Sequence, residues 1–196
     1  MLIISVALGL ASTGADEHVL AGARLFREGR WAEALVEFRV AERLGSTAAR
    51  GYAGATLVKL GRPEEAVEAF EGPGGPPAGR DALLDYHHAQ ACWNARLYTC
   101  ADRLLAGVGE RSGPRVAGEA ARARAAIAKL LSTEPKPDSV DWYLARCEET
   151  ARAGRQVLAR AYCSEAKALG GRRQDRRGVA EAEAKLSRLA AGREGL

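Results

Sequence analysis

Apolar positions along this chain recur at helical spacing and are cut at short intervals by glycine or proline. The pattern predicts a first helix from about Asp16 to Glu28, broken at Gly29, and a second from about Ala32 to Leu44, broken at Gly45-Ser46. A third spans about Thr47 to Leu60 and ends at Gly61. Pro63 suits the first turn of a fourth helix, where the N–H that proline lacks has no partner in any case. That helix ends before Gly72, and the stretch 72–79, GPGGPPAG, is a loop. A fifth helix covers about Asp81 to Ala95, a sixth about Tyr98 to Val108, and a long Ala/Arg helix follows from about Arg115 to Leu131. Pro135 and Pro137, in alternate positions, make 132–139 extended and the best place for a subdomain boundary. Beyond it lies a hairpin, about Val140 to Gly154 and Arg155 to Leu169. A last helix, about Val179 to Ala191, carries Val179, Ala182, Leu186 and Leu189 on one face. No segment alternates as a strand does.

Two stretches are near copies: Gly29-Arg-Trp-Ala-Glu-Ala-Leu-Val-Glu-Phe38 and Gly61-Arg-Pro-Glu-Glu-Ala-Val-Glu-Ala-Phe70, 32 residues apart. A period of this size marks stacked helical hairpins, in which no unit buries its apolar face alone. Aligned on Gly29, the first unit has Gly22, Leu25, Gly29, Trp31, Ala34, Phe38 and Ala41 at recurring positions. The second has Gly54, Leu57, Gly61, Pro63, Ala66, Phe70 and Pro73. A weaker third has Ala89, Cys92, Arg96, Tyr98, Ala101, Leu105 and Val108, and a fourth retains Cys147, Gly154, Ala159, Cys163 and Ala166. This arrangement resembles the tetratricopeptide repeat. The resemblance covers about Asp16 to Val108, and more faintly Val140 to Leu169. It implies an all-α fold, a short right-handed superhelix of antiparallel hairpins. Gly22, Gly54 and Ala89 then admit the second helix closely, Ala34, Ala66 and Ala101 are the matching small knobs, and Phe38, Phe70 and Leu105 fill the gap to the next unit. The chain departs from the family in its spacings of 32 and 35 residues, against a period of about 34, and in the displaced or missing closing proline. The array is near the minimum length for stability, with the last helices acting as caps.

The opening run LIISVALGL, residues 2–10, is too short to span a bilayer. Small residues follow it, with Thr13 and Ala15 flanking a cut before Asp16, as at a secretory signal peptide, although no Lys or Arg precedes the run. The other reading is an apolar first helix packed on the array. The expected organisation is therefore 1–15 as a signal peptide or apolar segment and 16–131 as repeats plus a packing helix. A Pro-containing linker at 132–139 and a degenerate hairpin with a capping helix over 140–196 complete it.

Composition narrows the function. The chain of 196 residues is 47% apolar but only 6% aromatic, which argues against a large aromatic ligand pocket. Its 29 basic and 25 acidic residues give a net charge of +4, mixed along the chain, without the concentrated basic stripe of a nucleic-acid binder. The run Arg172-Arg-Gln-Asp-Arg-Arg177 can meet an anionic surface, but reads more simply as a solvated connector before the last helix, and no aromatic residues interleave with it for base stacking. There is no nucleophile elbow, no phosphate-binding loop and no H-E-x-x-H, so no enzyme activity and no cofactor are expected.

The four cysteines carry the sharpest secondary signal. Cys92 and Cys100 are centred on Arg96, and Cys147 and Cys163 on Arg155, each where a hairpin turns. Residues equidistant from an antiparallel turn face each other, so the symmetry points to disulfides Cys92–Cys100 and Cys147–Cys163 and to an oxidising compartment, periplasmic or secreted. The competing reading makes these thiols small buried residues, compatible with a cytoplasmic protein. A metal site with His87 and His88 is not expected: no C-x-x-C is present, and adjacent histidines on a helix point about 100° apart.

The resemblance also implies that the first helix of each hairpin lines a concave groove. Mapped by spacing, the groove carries Val19, Phe26 and Arg27, then Val58 and Lys59, then Tyr86, Gln90, Trp93 and Asn94. Aromatic anchors amid polar groups suit a protein or peptide partner. In the other reading some of these residues pack beneath the opening run or a cap. Val19 and Ala23 stand where capture of a chain-terminal carboxylate needs polar side chains. The resulting expectation is a non-enzymatic interaction scaffold in the cell envelope. The alternatives are a basic-surface adaptor for nucleic acid or an anionic polymer, and an accessory subunit of an enzyme on another chain.

Overall fold

The computed structural model describes residues 7–72, 81–132 and 139–191, with side chains from residue 14 onward. Every regular element among these residues is an α-helix: α1 (Ala7–Arg27), α2 (Trp31–Arg43), α3 (Thr47–Lys59), α4 (Pro63–Glu71), α5 (Ala82–Asn94), α6 (Tyr98–Arg111), α7 (Pro114–Ser132), α8 (Val140–Arg152), α9 (Gln156–Arg173) and α10 (Arg176–Ala191). The chain forms two compact units, residues 1–80 and 81–196. In the first, α1 to α4 each pack on their neighbour in sequence, and α1 also reaches α3. In the second, α5, α6 and α7 pack in succession, as do α8, α9 and α10; α10 returns to α8, and α6 touches α9.

Four hairpin turns share one backbone solution. The N–H groups of Arg30, Arg62, Leu97 and Arg155 donate to the carbonyls of Leu25, Leu57, Cys92 and Thr150 at 3.0, 3.0, 2.7 and 2.9 Å. The residue before each donor is left-handed: Gly29, Gly61, Arg96 and Gly154, with φ of 77°, 70°, 63° and 75°. This is the Schellman closure, which satisfies carbonyls that a helix end leaves open and favours glycine at the left-handed position. Arg96 adopts it without glycine's freedom. Its carbonyl accepts a bond from Tyr143 Oη at 2.5 Å, and its guanidinium lies 5.9 Å from the centre of the Trp142 ring. In the two near-copied stretches, the arginine after the glycine also pairs with a glutamate three residues on, Arg30 with Glu33 and Arg62 with Glu65, each at 2.5 Å.

The packing between paired helices repeats too. Gly22 of α1 lies under the Phe38 ring of α2, and Gly54 of α3 under the Phe70 ring of α4; a β-carbon on either glycine would fall 2.7 Å and 2.9 Å from those rings. Both phenylalanines are 1% exposed. Phe38 also stacks on Tyr52 of α3, with ring centres 5.5 Å apart, so it closes its own hairpin and reaches the next helix. Ala34, Ala66, Ala101 and Ala159, one at the same place in each hairpin, are all 0% exposed.

Four elements differ from the sequence-based expectation. Helix α6 runs on through Gly109 to Arg111 rather than ending at about Val108. Helix α1 starts at Ala7 rather than Asp16, so residues 7–15 join the first helix, with Ala15 buried; residues 1–6 lie outside the described part. Helix α9 continues past Leu169 through Gly170 and Gly171, because Gly170 abuts Val179 of α10 and Gln174 supplies the left-handed cap. The arginine run is therefore not a connector: Arg172 and Arg173 end α9, and Arg176 and Arg177 begin α10. The core of the expected linker, 133–138, lies outside the described residues, while α6 and α9 on either side of it are in contact.

Replacing Gly22 or Gly54 with alanine sets a helix-propensity gain of about 1 kcal/mol against overpacking of about 1–3 kcal/mol. Overpacking wins, because a phenylalanine ring with 1% exposure has nowhere to retreat. Urea unfolding should show both variants less stable than wild type. Gly14→Ala, whose new β-carbon would sit 3.8 Å from Leu44, should lose nothing.

Candidate functional site

The residues expected to line a groove divide between the two units. In the first, Val19 and Val58 are partly buried, and Arg27 and Lys59 are exposed. Phe26 is partly buried and packs against the cluster of Leu25, Ala34, Phe38 and Ala53, so part of its ring serves the core. In the second unit, Tyr86, Gln90 and Trp93 follow one another at helical i, i+4, i+7 spacing on α5 and so share a face. Trp93 is 38% exposed and meets Tyr98 edge-on at 5.6 Å. Gln90 Oε1 lies 3.0 Å from His87 Nδ1, and Tyr86 borders the same imidazole at 6.3 Å. Asn94 is exposed at the end of the stripe.

Both cysteine pairs expected from turn symmetry are brought together. Cys92 and Cys100 have their sulfurs at bonding distance and Cα atoms 6.0 Å apart. Cys147 and Cys163 are likewise joined, with Cα atoms 5.3 Å apart. Each joins the two helices of one hairpin, α5 to α6 and α8 to α9. His88 lies one helical turn before Cys92, and its ring nitrogen and the two sulfurs of the first pair all fall within 4.8 Å of one another.

Between these two hairpins sits a residue that local patterning does not reveal. Helix α6 begins after Leu97, which has no side chain able to cap it. Glu165 of α9, only 2% exposed, takes that role from 66 residues away. Its carboxylate accepts from Thr99 N at 2.5 Å, Thr99 Oγ1 at 2.6 Å and Cys100 N at 3.1 Å. Free N–H groups and the helix dipole make a helix start a natural seat for a carboxylate. Burial nevertheless pushes the Glu165 carboxyl above the ordinary glutamate range, against the downward pull of the Thr99 and Cys100 hydrogen bonds and of Arg172. Around this contact, Asp102 of α6 binds Arg172 of α9 at 3.2 Å and Arg124 of α7 at 2.9 Å. The contact is thus polar and interlocked. In the sequence Glu165 was one acidic residue among many on helix faces, and no spacing rule connects it with Thr99.

No protein-family model matches this chain, and no curated protein matches it in sequence. The described residues define an all-helical protein of consecutively packed hairpins, two of them joined by cysteine pairs.

Two predictions follow from this geometry. A carboxyl whose folded pKa is raised contributes most below its unfolded value, near 4.5, and that contribution is lost as pH rises through the folded value. Glu165→Gln is neutral throughout. Its stability relative to wild type, read from urea midpoints, should therefore improve as pH climbs from about 4.5 towards neutrality; a constant difference would remove the perturbed carboxyl from the account. Separately, Cys147→Ala with Cys163→Ala should lower the unfolding free energy by about 3 kcal/mol, the loop-closure contribution of a bridge of this span. Oxidised wild type is the reference, and an unchanged urea midpoint would contradict it.

Proposed function

We propose that this chain is a tetratricopeptide-like scaffold, without catalytic chemistry of its own, that holds a peptide or helix of another protein in the cell envelope or outside the cell. Three features support the repeat character: the common turn closure, the glycine-under-phenylalanine packing of the first two hairpins, and the buried alanine at one place in all four. The oxidising location rests on the two joined cysteine pairs. The single observation that carries the binding role is the stripe on α5, where Trp93 keeps 38% exposure beside Gln90 and Asn94. An aromatic ring left partly wet among hydrogen-bonding groups is the usual anchor of a protein contact. A preformed helical face also lowers the ordering cost of whatever docks on it. The anionic-polymer reading has less support, since Arg172 is already engaged by Asp102.

The test is selection of a displayed peptide library on the oxidised full chain. Enriched peptides should lose at least about tenfold in affinity against Trp93→Ala, which is the signature of a hot spot. They should keep it against Arg188→Ala, a change at an exposed position of α10. Far-UV circular dichroism of the Trp93 variant should match wild type. Peptides that bind both variants equally, or a Trp93 variant that loses helicity, would remove the α5 stripe from the binding role.

A further inference from the structure

Among the described residues, the first cysteine pair has a neighbour that the second lacks. His88 and Cys92 stand four residues apart on α5, on one helix face, and Cys100 comes across from α6. One ring nitrogen and two sulfurs lie within 4.8 Å of one another. His88 and Cys92 are both 0% exposed, while Cys100 is only partly buried. Around a tetrahedral Zn²⁺, with Zn–S near 2.3 Å and Zn–N near 2.0 Å, two sulfurs sit about 3.7 Å apart and nitrogen about 3.5 Å from each. The trio needs only side-chain adjustments of about 1 Å to reach that geometry once the sulfur–sulfur bond is open. Its donor set, two thiolates and an imidazole, with His88 and Cys92 shut off from solvent and Cys100 at the partly open side, suits zinc and excludes ions that want six or more oxygens.

We propose that reduction of the Cys92–Cys100 pair turns the α5–α6 hairpin into a Zn²⁺ site, with His88, Cys92 and Cys100 as ligands. A dithiol reductant gives two electrons and two protons to the disulfide, becoming a disulfide itself and leaving two thiols. Zn²⁺ then displaces one proton from each thiol and takes neutral His88 as its third ligand. The partly exposed side, at Cys100, is where the ion enters and where water completes the coordination. The same two sulfurs thus hold the hairpin by a covalent bond when oxidised and by a metal when reduced. The second pair has no histidine in such a cluster among the described residues, so it is a plain staple.

The experiment uses the full chain, reduced with a phosphine, desalted without oxygen and titrated with Zn²⁺ against a chromophoric chelator. One ion per reduced chain and none per oxidised chain is expected; less than one ion per reduced chain overturns the proposal. Iodoacetamide labelling followed by peptide mass spectrometry then locates the ion without any variant. Added Zn²⁺ should slow labelling of Cys92 and Cys100 at least about tenfold, while leaving Cys147 and Cys163 unchanged. Protection of the second pair instead, or of all four cysteines alike, overturns it. His88→Gln, which keeps both thiols, should lose at least about tenfold in Zn²⁺ affinity, and wild-type affinity would show the ligand set to be wrong. Should that variant fail to fold, the labelling pattern of wild type decides.

Discussion

Close approach of two helices requires that one of them offer almost nothing at the point of crossing. Gly22 and Gly54 do this for Phe38 and Phe70, and the rings then sit directly on helix backbone. A buried phenylalanine is worth about 2–3 kcal/mol only if its contacts are complete, and a missing β-carbon is what completes them here. The buried alanines at 34, 66, 101 and 159 apply the same rule from the opposite helix. Everything else in the first unit is arranged around that economy of volume: short turns, neighbour-on-neighbour packing and a charged outer surface.

Much of this was legible in the chain itself. Helix positions followed from glycine and proline punctuation, because those residues act locally and need no tertiary information. The cysteine pairing was legible for a similar reason: symmetry about a tight turn is a local property. Boundaries failed where a tertiary contact overrode the local signal. Gly170-Gly171 reads as a stop, but a glycine can continue a helix when its bare face is needed by a neighbour, as Val179 needs Gly170. The start of α1 was missed for a different reason: the local signal was itself ambiguous, since an apolar run reads equally as an export signal or as a helix flank.

The candidate site was less visible. Trp93 and Tyr86 could be named from spacing, but their degree of exposure could not, and exposure separates an anchor from a core residue. Phe26 shows the difference, for its ring partly belongs to the cluster around Phe38. Glu165 was beyond reach, since its partners Thr99 and Cys100 lie in another hairpin and share no period with it. His88 fell between the two cases: its spacing to Cys92 is plain in the sequence, but the third member comes from the facing helix.

The distant cap on α6 has a consequence for how the molecule is made. A ribosome delivers Thr99 and Cys100 well before it delivers Glu165, which follows them by 66 and 65 residues. Until then the first amides of α6 have only water to satisfy them, and the hairpin holding them emerges with an open end. Completion of the second unit is thereby tied to the arrival of its penultimate helix, and a nascent chain halted short of that helix would carry an unfinished fold however well its earlier hairpins had closed.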